Sequence, residues 1–211
     1  MISTEHTLLR LIMAVVPDNK RNDDKSNGYE EVAETFMRVR DTWIGPTTVR
    51  RWSRILPRGC AVLELGCGHG VVSQALMDEG FEVYGIDASA KMIEAFRKRF
   101  PGAHAECSAV EDSELFGRTF DGVVAWGLMF LLPPEVQVAV IPKIARALNP
   151  GGRLLFTAPT QKCTWQDILT KRESFSLGDE RYRQLLHSEG LVLDGEERDQ
   201  GDNHYFLVSK P

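Results

Sequence analysis

Between residues 29 and 56 the apolar side chains recur at helical spacing. Tyr29, Val32, Ala33, Phe36 and Met37 fall at i, i+3, i+4, i+7 and i+8 and predict an amphipathic helix, with Asn27 and Glu30 placed to open it as a capping box. After Pro46, the residues Val49, Trp52, Ile55 and Leu56 share a second helical face, which Pro57 and Gly59 end. From Cys60 the period changes. Short apolar runs at 61–65, 81–86, 103–107, 120–126 and 153–157 alternate with helical stretches, the signature of βαβ units and a mostly parallel sheet.

The intervening helices carry their own stops. The stretch 71–79 closes at Gly80, and Met92, Ile93, Phe96 and Phe100 mark a helix that Ser89 caps and Pro101 and Gly102 stop. A helix after Pro133 and Pro134 bears Val136, Val140, Ile144 and Leu148, with Pro142 expected to kink or split it. Ser176 and Asp179 read as a capping box for a helix with Tyr182, Leu185 and Leu186, ended by Gly190. Strands at 191–193 and 205–208 follow, with a turn at Gln200, Gly201, Asp202 and Asn203. Residues 17–28 hold no large apolar side chain, so they read as a polar linker behind an extension with its own apolar stripe at 8–16. The expected organisation is an N-terminal extension and linker over 1–28 and a single α/β domain over 29–211.

The 211 residues carry 25 Lys and Arg against 30 Asp and Glu, a net charge of −5, so no global positive field draws nucleic acid. The clusters Arg50, Arg51, Arg54 and Arg97, Lys98, Arg99 lie beside helix-spaced apolar residues and read as solvated faces. Cys60, Cys67, Cys107 and Cys163 form no CxxC pair and no ligand-like quartet, which disfavours zinc and disulfides and fits a reducing cytoplasm. The apolar stripe at 8–16 is too short to span a bilayer and has no leader-like flanks. Neither a membrane partner nor a metal is expected.

The chemistry concentrates in VLELGCGHG over residues 62–70. An apolar strand runs into Gly66, Gly68 and Gly70 and then a helix. Glycines at alternate positions let the backbone turn with positive φ and let a ligand come closer than a Cβ allows. In an open α/β sheet this loop lies outside the carboxyl ends of the strands, where ligands bind. Seventeen residues after Gly70 the second strand ends at Asp87, a carboxylate for two ribose hydroxyls. The dinucleotide fingerprint would need glycine where Val71 stands, which demotes nicotinamide and flavin.

The segment Glu64 to Gly70 resembles the first motif of the class I S-adenosylmethionine-dependent methyltransferases, an acidic residue, any residue, then G-x-G-x-G. The resemblance continues through Asp87, through FDGVVAWG ending at Gly127, and through Asn149, Pro150, Gly151 and Gly152. It implies a doubly wound, mostly parallel seven-stranded sheet whose last strand is antiparallel and inserted between the fifth and sixth, with the N-terminal helices as a lid. It also implies S-adenosylmethionine as cofactor, S-adenosylhomocysteine as product and a small-molecule acceptor. Gly66, Gly68 and Gly70 would lie along the methionine moiety, Asp87 at the ribose, and Ala88 and Met92 near the adenine, with Glu64 and Cys67 also binding the cofactor. Ser108 stands where many relatives carry an acid for the adenine amino group; Ala109 and Val110 supply backbone there, and Glu111 or Asp112 offers a carboxylate in a shifted register.

After the fourth strand, several relatives place a histidine near the substrate, whereas this chain reads Gly127, Leu128, Met129, Phe130 and Leu131. No catalytic base is identified, and His69 reads as a loop residue. Trp126 and Phe130 would wall the sulfonium. Tyr29 and Arg40 would close from the N-terminal helix, and Pro159, Thr160, Cys163, Trp165 and Asp167 lie on the acceptor side, with Asn203, His204 and Tyr205 as a further polar cluster. The alternatives are a nicotinamide-dependent oxidoreductase and a noncatalytic S-adenosylmethionine-binding module.

Overall fold

The computed structural model describes residues 24–40 and 43–211. Along the chain lie α1 (Tyr29–Val39), α2 (Pro46–Ser53), β1 (Ala61–Leu65), α3 (Val71–Asp78), β2 (Glu82–Asp87), α4 (Ala90–Arg99), β3 (His104–Cys107), β4 (Phe120–Ala125), α5 (Pro134–Ala147), β5 (Leu148–Thr157), β6 (Cys163–Gln166), β7 (Glu173–Ser176), α6 (Asp179–Ser188), β8 (Val192–Arg198) and β9 (His204–Ser209). Seven strands form one sheet in the order β3-β2-β1-β4-β5-β9-β8. The first five pair in parallel, and β9 runs antiparallel to both of its neighbours. This is the doubly wound α/β sheet expected above, with the last strand inserted as foreseen. The segment 8–16 and most of the expected extension lie outside the described residues.

β1 shows why the sheet takes two helical layers. All five of its residues are buried, as a central parallel strand covered on both faces requires. Because side chains alternate across a strand, Leu63 and Leu65 join Ile141, Ile144 and Phe156 on one side. Val62 joins Val49, Trp52, Leu56 and Leu76 on the other. Each such side chain contributes about 1.5–3 kcal/mol by leaving water. The strand order reverses between β1 and β4, so the loops after β1, β2 and β4 open a crevice at one edge.

Several local expectations change. Asn27 adopts a left-handed conformation (φ 52), and Gly28 is the N-cap of α1; the cap is built instead by Asp24, which accepts from Ser26 and Gly28, and by Ser26 Oγ, which accepts from the Glu30 amide at 3.0 Å. Glu30 turns outward to take a hydrogen bond from Ser89 Oγ at 2.6 Å, tying α1 to α4. Helix α2 ends at Ser53, so Ile55 leaves the shared face and is 58% exposed. Helix α5 runs through Pro142 as one element, because Val140, Ile141, Ile144 and Ala145 bury both halves against the sheet and outweigh one missing backbone bond. Gly178 caps α6 in place of the Ser176 box: Ser176 donates to the Pro159 carbonyl at 2.7 Å, and Asp179 pairs with Arg183. The polar edge strand β8 extends to Arg198, well beyond 193. The antiparallel hairpin of β6 and β7 forms a separate two-stranded sheet with no counterpart in the apolar pattern.

Gly70 illustrates the demand of the strand-to-helix turn. It caps α3 with φ +87, and an added Cβ would run into Phe100 and stand 3.0 Å from Phe96. Gly70→Ala is expected to lower stability by roughly 2–4 kcal/mol, combining a disfavoured φ with overpacking. A urea midpoint unchanged from wild type would show that this turn tolerates a side chain.

Candidate active site

The glycine loop is held by backbone bonds and by one carboxylate. The amides of Gly66 and Cys67 both donate to the Ile86 carbonyl at the end of β2, at 2.8 and 2.9 Å. Gly66 and Gly68 have φ of +70 and +52. An added Cβ at Gly68 would meet nothing within 4 Å, whereas one at Gly66 would press on Leu128 at 3.1 Å. The loop therefore presents bare backbone to open space. The Gly68 amide donates to Asp87 Oδ2 at 2.8 Å and the Ser89 amide to Oδ1 at 2.9 Å, so one carboxylate staples the loop to the start of α4. Burial raises the Asp87 pKa, and these two amide bonds oppose the rise.

Around this loop lies a cavity of about 310 Å³, within the range of small-ligand sites. Its wall brings together Glu64, Gly66, Cys67, Gly68, Asp87, Ala88, Met92, Ser108, Ala109, Val110 and Trp126, and also Tyr29, Arg40, Phe130 and Asp167. Gly70 is not part of the wall and packs against α4 instead. Trp165 also stands back from it, its ring 5.7 Å from that of Phe130, and so backs a wall residue. His204 lies apart, its Nε2 2.8 Å from Glu196 and its ring edge-on to Phe206; burial holds its pKa down.

One end of the cavity is polar and enclosed. Glu64 is 3% exposed, and its carboxylate accepts from Ser73 Oγ on α3. Burial pushes its pKa up to about 8, with the Ser73 bond opposing, Asp87 adding to the rise and Arg40 opposing it. The Arg40 guanidinium lies 4.1 Å above the Trp126 ring and donates to the Ile44 carbonyl. Trp126 Nε1 donates to Tyr205 Oη at 2.7 Å, and Tyr205 donates to Asp199 at 2.5 Å. Although burial works the other way, bonds from Tyr205, Asn203 and Gly201 hold the Asp199 pKa down. The chain from Asp199 to Arg40 thus fixes the indole and, over it, the cation.

The roof is built from two sides. Lys25 pairs with Asp112 at 2.5 Å and approaches Glu111 at 3.6 Å, while Asn27 donates to the Glu173 carbonyl and Tyr29 to Asp167 Oδ2 at 3.2 Å. Burial, then the Asp167 charge, raise the Tyr29 pKa and keep the phenol protonated. Asp167 Oδ1 accepts from the amides of Leu169 and Thr170, which shapes the hairpin tip. Buried Gln137 anchors the hairpin base, donating to the carbonyls of Leu132 and Phe175 and accepting from Tyr182 at 2.6 Å.

Phe36, Leu128, His69 and Lys25 are among the wall residues without an assigned role. Phe36 lies one helical turn before Arg40, a spacing visible in the sequence. Leu128 fills the place where a base was sought. His69 faces the cavity from within the loop, and Lys25 belongs to the segment read as linker. Glu111 Oε2 is buried without a hydrogen-bond partner, a vacancy the ambiguous register after β3 left open. Among the described residues no group of three His, Cys, Asp or Glu is placed to hold a metal, and no helix is long and apolar enough to cross a membrane.

Residues 62–152 match a family described as a methyltransferase domain. The chain is similar to an uncharacterised methyltransferase of Mycobacterium tuberculosis, 30% identical over 126 residues, a match covering 60% of this chain and 46% of that protein. It thus aligns with about half the length of that relative. It is also similar to a ubiquinone biosynthesis O-methyltransferase of Coxiella burnetii, 26% identical over 195 residues that cover 82% of this chain and 81% of the relative. An amino pentose methyltransferase from Micromonospora echinaspora, solved with S-adenosylmethionine bound, superposes with a TM-score of 0.67 at 16% identity, over 86% of this chain and 96% of that one. Strand order, glycine loop and family match agree over residues 62–152, which match a methyltransferase domain within a seven-stranded sheet.

Proposed function

We propose that residues 29–211 act as one domain that transfers a methyl group from S-adenosylmethionine to a small-molecule acceptor. The observation that carries this reading is the bare backbone at Gly68 beside the Asp87 carboxylate, at the switch point of a sheet whose residues 62–152 match a methyltransferase domain. The residues fit the cofactor. Asp87 keeps lone pairs beyond its two amide bonds for ribose hydroxyls, Ala88 and Met92 offer an apolar wall to the base, and the orphaned Glu111 oxygen suits an exocyclic amine. Arg40 and Glu64 offer opposite charges to a zwitterionic amino-acid tail.

The bound cofactor supplies an activated methyl group; the protein's part is alignment in a dry site, which can be worth roughly 7–11 kcal/mol. Trp126 and Phe130 exclude water, and the Asp199–Tyr205–Trp126 chain keeps the indole from turning. The modest cavity and the net charge of −5 favour a compact metabolite over nucleic acid, and the four free cysteines fit a cytoplasmic protein. The O-methyltransferase name of the Coxiella relative points the same way.

Titration with S-adenosylmethionine, S-adenosylhomocysteine and NADH by calorimetry and thermal shift tests this reading, since a ligand of the native state raises Tm by mass action. The first two are expected to bind and NADH is not. NADH binding alone would replace the reading with that of an oxidoreductase.

A further inference from the structure

The geometry points to His69 as the general base, taking the proton of a ring hydroxyl on the acceptor as the methyl group is transferred; this rests on the methyl-transfer reading above. His69 stands between two left-handed glycines and faces the cavity that Gly68 opens. Its imidazole continues an aromatic row from α1: Tyr29 lies edge-on to Phe36 at 5.1 Å, and Phe36 edge-on to His69 at 6.2 Å. The phenyl ring orients the imidazole, and no hydrogen bond from a described residue holds either ring nitrogen, so both remain available to a ligand.

The surroundings of the ring disfavour its charged form. Burial does most of this, and the charges of Arg99 on α4 and Arg40 at the end of α1 add to it. The same wall carries the carboxyl groups of Glu64 on β1, Asp87 at the end of β2, Glu111 after β3 and Asp167 on the hairpin, and the Lys25 ammonium. A neutral imidazole near pH 7 accepts a proton, and the loop after β4 brings Trp126, Gly127, Leu128, Phe130, Leu131 and Leu132 to the wall, none of them a base.

The same surroundings select the acceptor. Tyr29, Phe36, Trp126 and Phe130 offer ring faces and edges to a planar molecule, while Asp167 on the acceptor side opposes an anionic one. A carboxylate needs no base and is repelled; a ring hydroxyl fits the walls and must lose a proton to attack. In the step, the hydroxyl proton passes to a ring nitrogen of His69 and the oxygen lone pair forms the new O–CH3 bond. The C–S bond breaks with its electron pair going to sulfur, which becomes a neutral thioether. The imidazolium then returns its proton to water.

A chromophoric phenol reads the proton transfer without turnover. In the complex with S-adenosylhomocysteine, across a pH titration, 4-nitrophenol is expected to bind and to show phenolate absorbance at a pH where His69→Gln shows none. In His69→Gln it should bind as the neutral phenol, with affinity for S-adenosylhomocysteine within about threefold of wild type. NMR should show the wild-type imidazole gaining a proton as the phenol binds. Absence of phenol binding, identical spectra in the two proteins, or a tenfold loss of S-adenosylhomocysteine affinity in His69→Gln with an unchanged phenol spectrum would each overturn the assignment; the last would make His69 a cofactor contact. Failure of wild type to bind S-adenosylhomocysteine would instead remove the methyl-transfer reading.

Discussion

Replacing Asp87 with alanine is expected to weaken S-adenosylhomocysteine binding by roughly 100-fold to 10,000-fold while changing stability by only about 1 kcal/mol. The first figure follows from two charge-assisted hydrogen bonds to ribose, each worth about 1.5–3 kcal/mol. The second follows from opposing effects at the same carboxylate. Loss of its bonds to the Gly68 and Ser89 amides leaves two donors that cavity water can reach. Burial of the charge, which raises the Asp87 pKa, makes the ionised group costly to the fold at neutral pH, and its removal offsets part of that loss. Asp87→Asn, which retains one oxygen acceptor, should fall between the two proteins in affinity. Calorimetry and urea unfolding on the three proteins check both quantities. Alanine binding as tightly as wild type would detach Asp87 from the ribose.

How far such a site can be read before folding depends on whether a residue acts through backbone geometry or through a tertiary neighbour. The glycine loop and Asp87 were legible because positive φ and a strand-end carboxylate are local demands. The sheet order was legible from strand and helix alternation together with the family resemblance. Trp165 and His204 were placed on the acceptor side because polar or aromatic residues after β5 and before β9 lie near the crevice in chain order. The fold of the β6–β7 hairpin sets Trp165 behind Phe130, and β9 sets His204 against Phe206 two residues on. The hairpin itself escaped notice because β6 and β7 bury little of their own, and their anchor is a glutamine on another element, Gln137. Lys25 was hidden by the polarity of its segment: residues 24–28 bury no large apolar side chain, yet Asp24, Ser26 and Lys25 order them through hydrogen bonds and charge. Low hydropathy predicts the absence of a core there, not the absence of structure.

Glu64 should make the fold lose stability as pH rises, and Glu64→Gln should abolish that loss. In the unfolded chain this carboxyl gives up its proton near 4.5, whereas in the native protein burial holds its pKa at about 8. Between those values the native state binds the extra proton, so the contribution is fully present below 4.5, declines through the interval and is gone above 8. The gap sets a ceiling of roughly 4–5 kcal/mol. Glutamine keeps an acceptor for Ser73 Oγ without a titrating proton, so the urea midpoints of the two proteins should converge near pH 5 and separate by pH 8.5, with the variant the more stable. Parallel curves would mean that Glu64 is already ionised in the empty cavity. The same proton links stability to binding. A cationic ammonium beside Glu64 favours the carboxylate, so cofactor binding at about pH 7 should release close to one proton in wild type and none in the variant. Calorimetry in buffers of different ionisation heat measures that number. A buried acid that destabilises the empty protein when ionised is one that a cationic ligand relieves, and the energy withheld from the fold becomes affinity for the ligand.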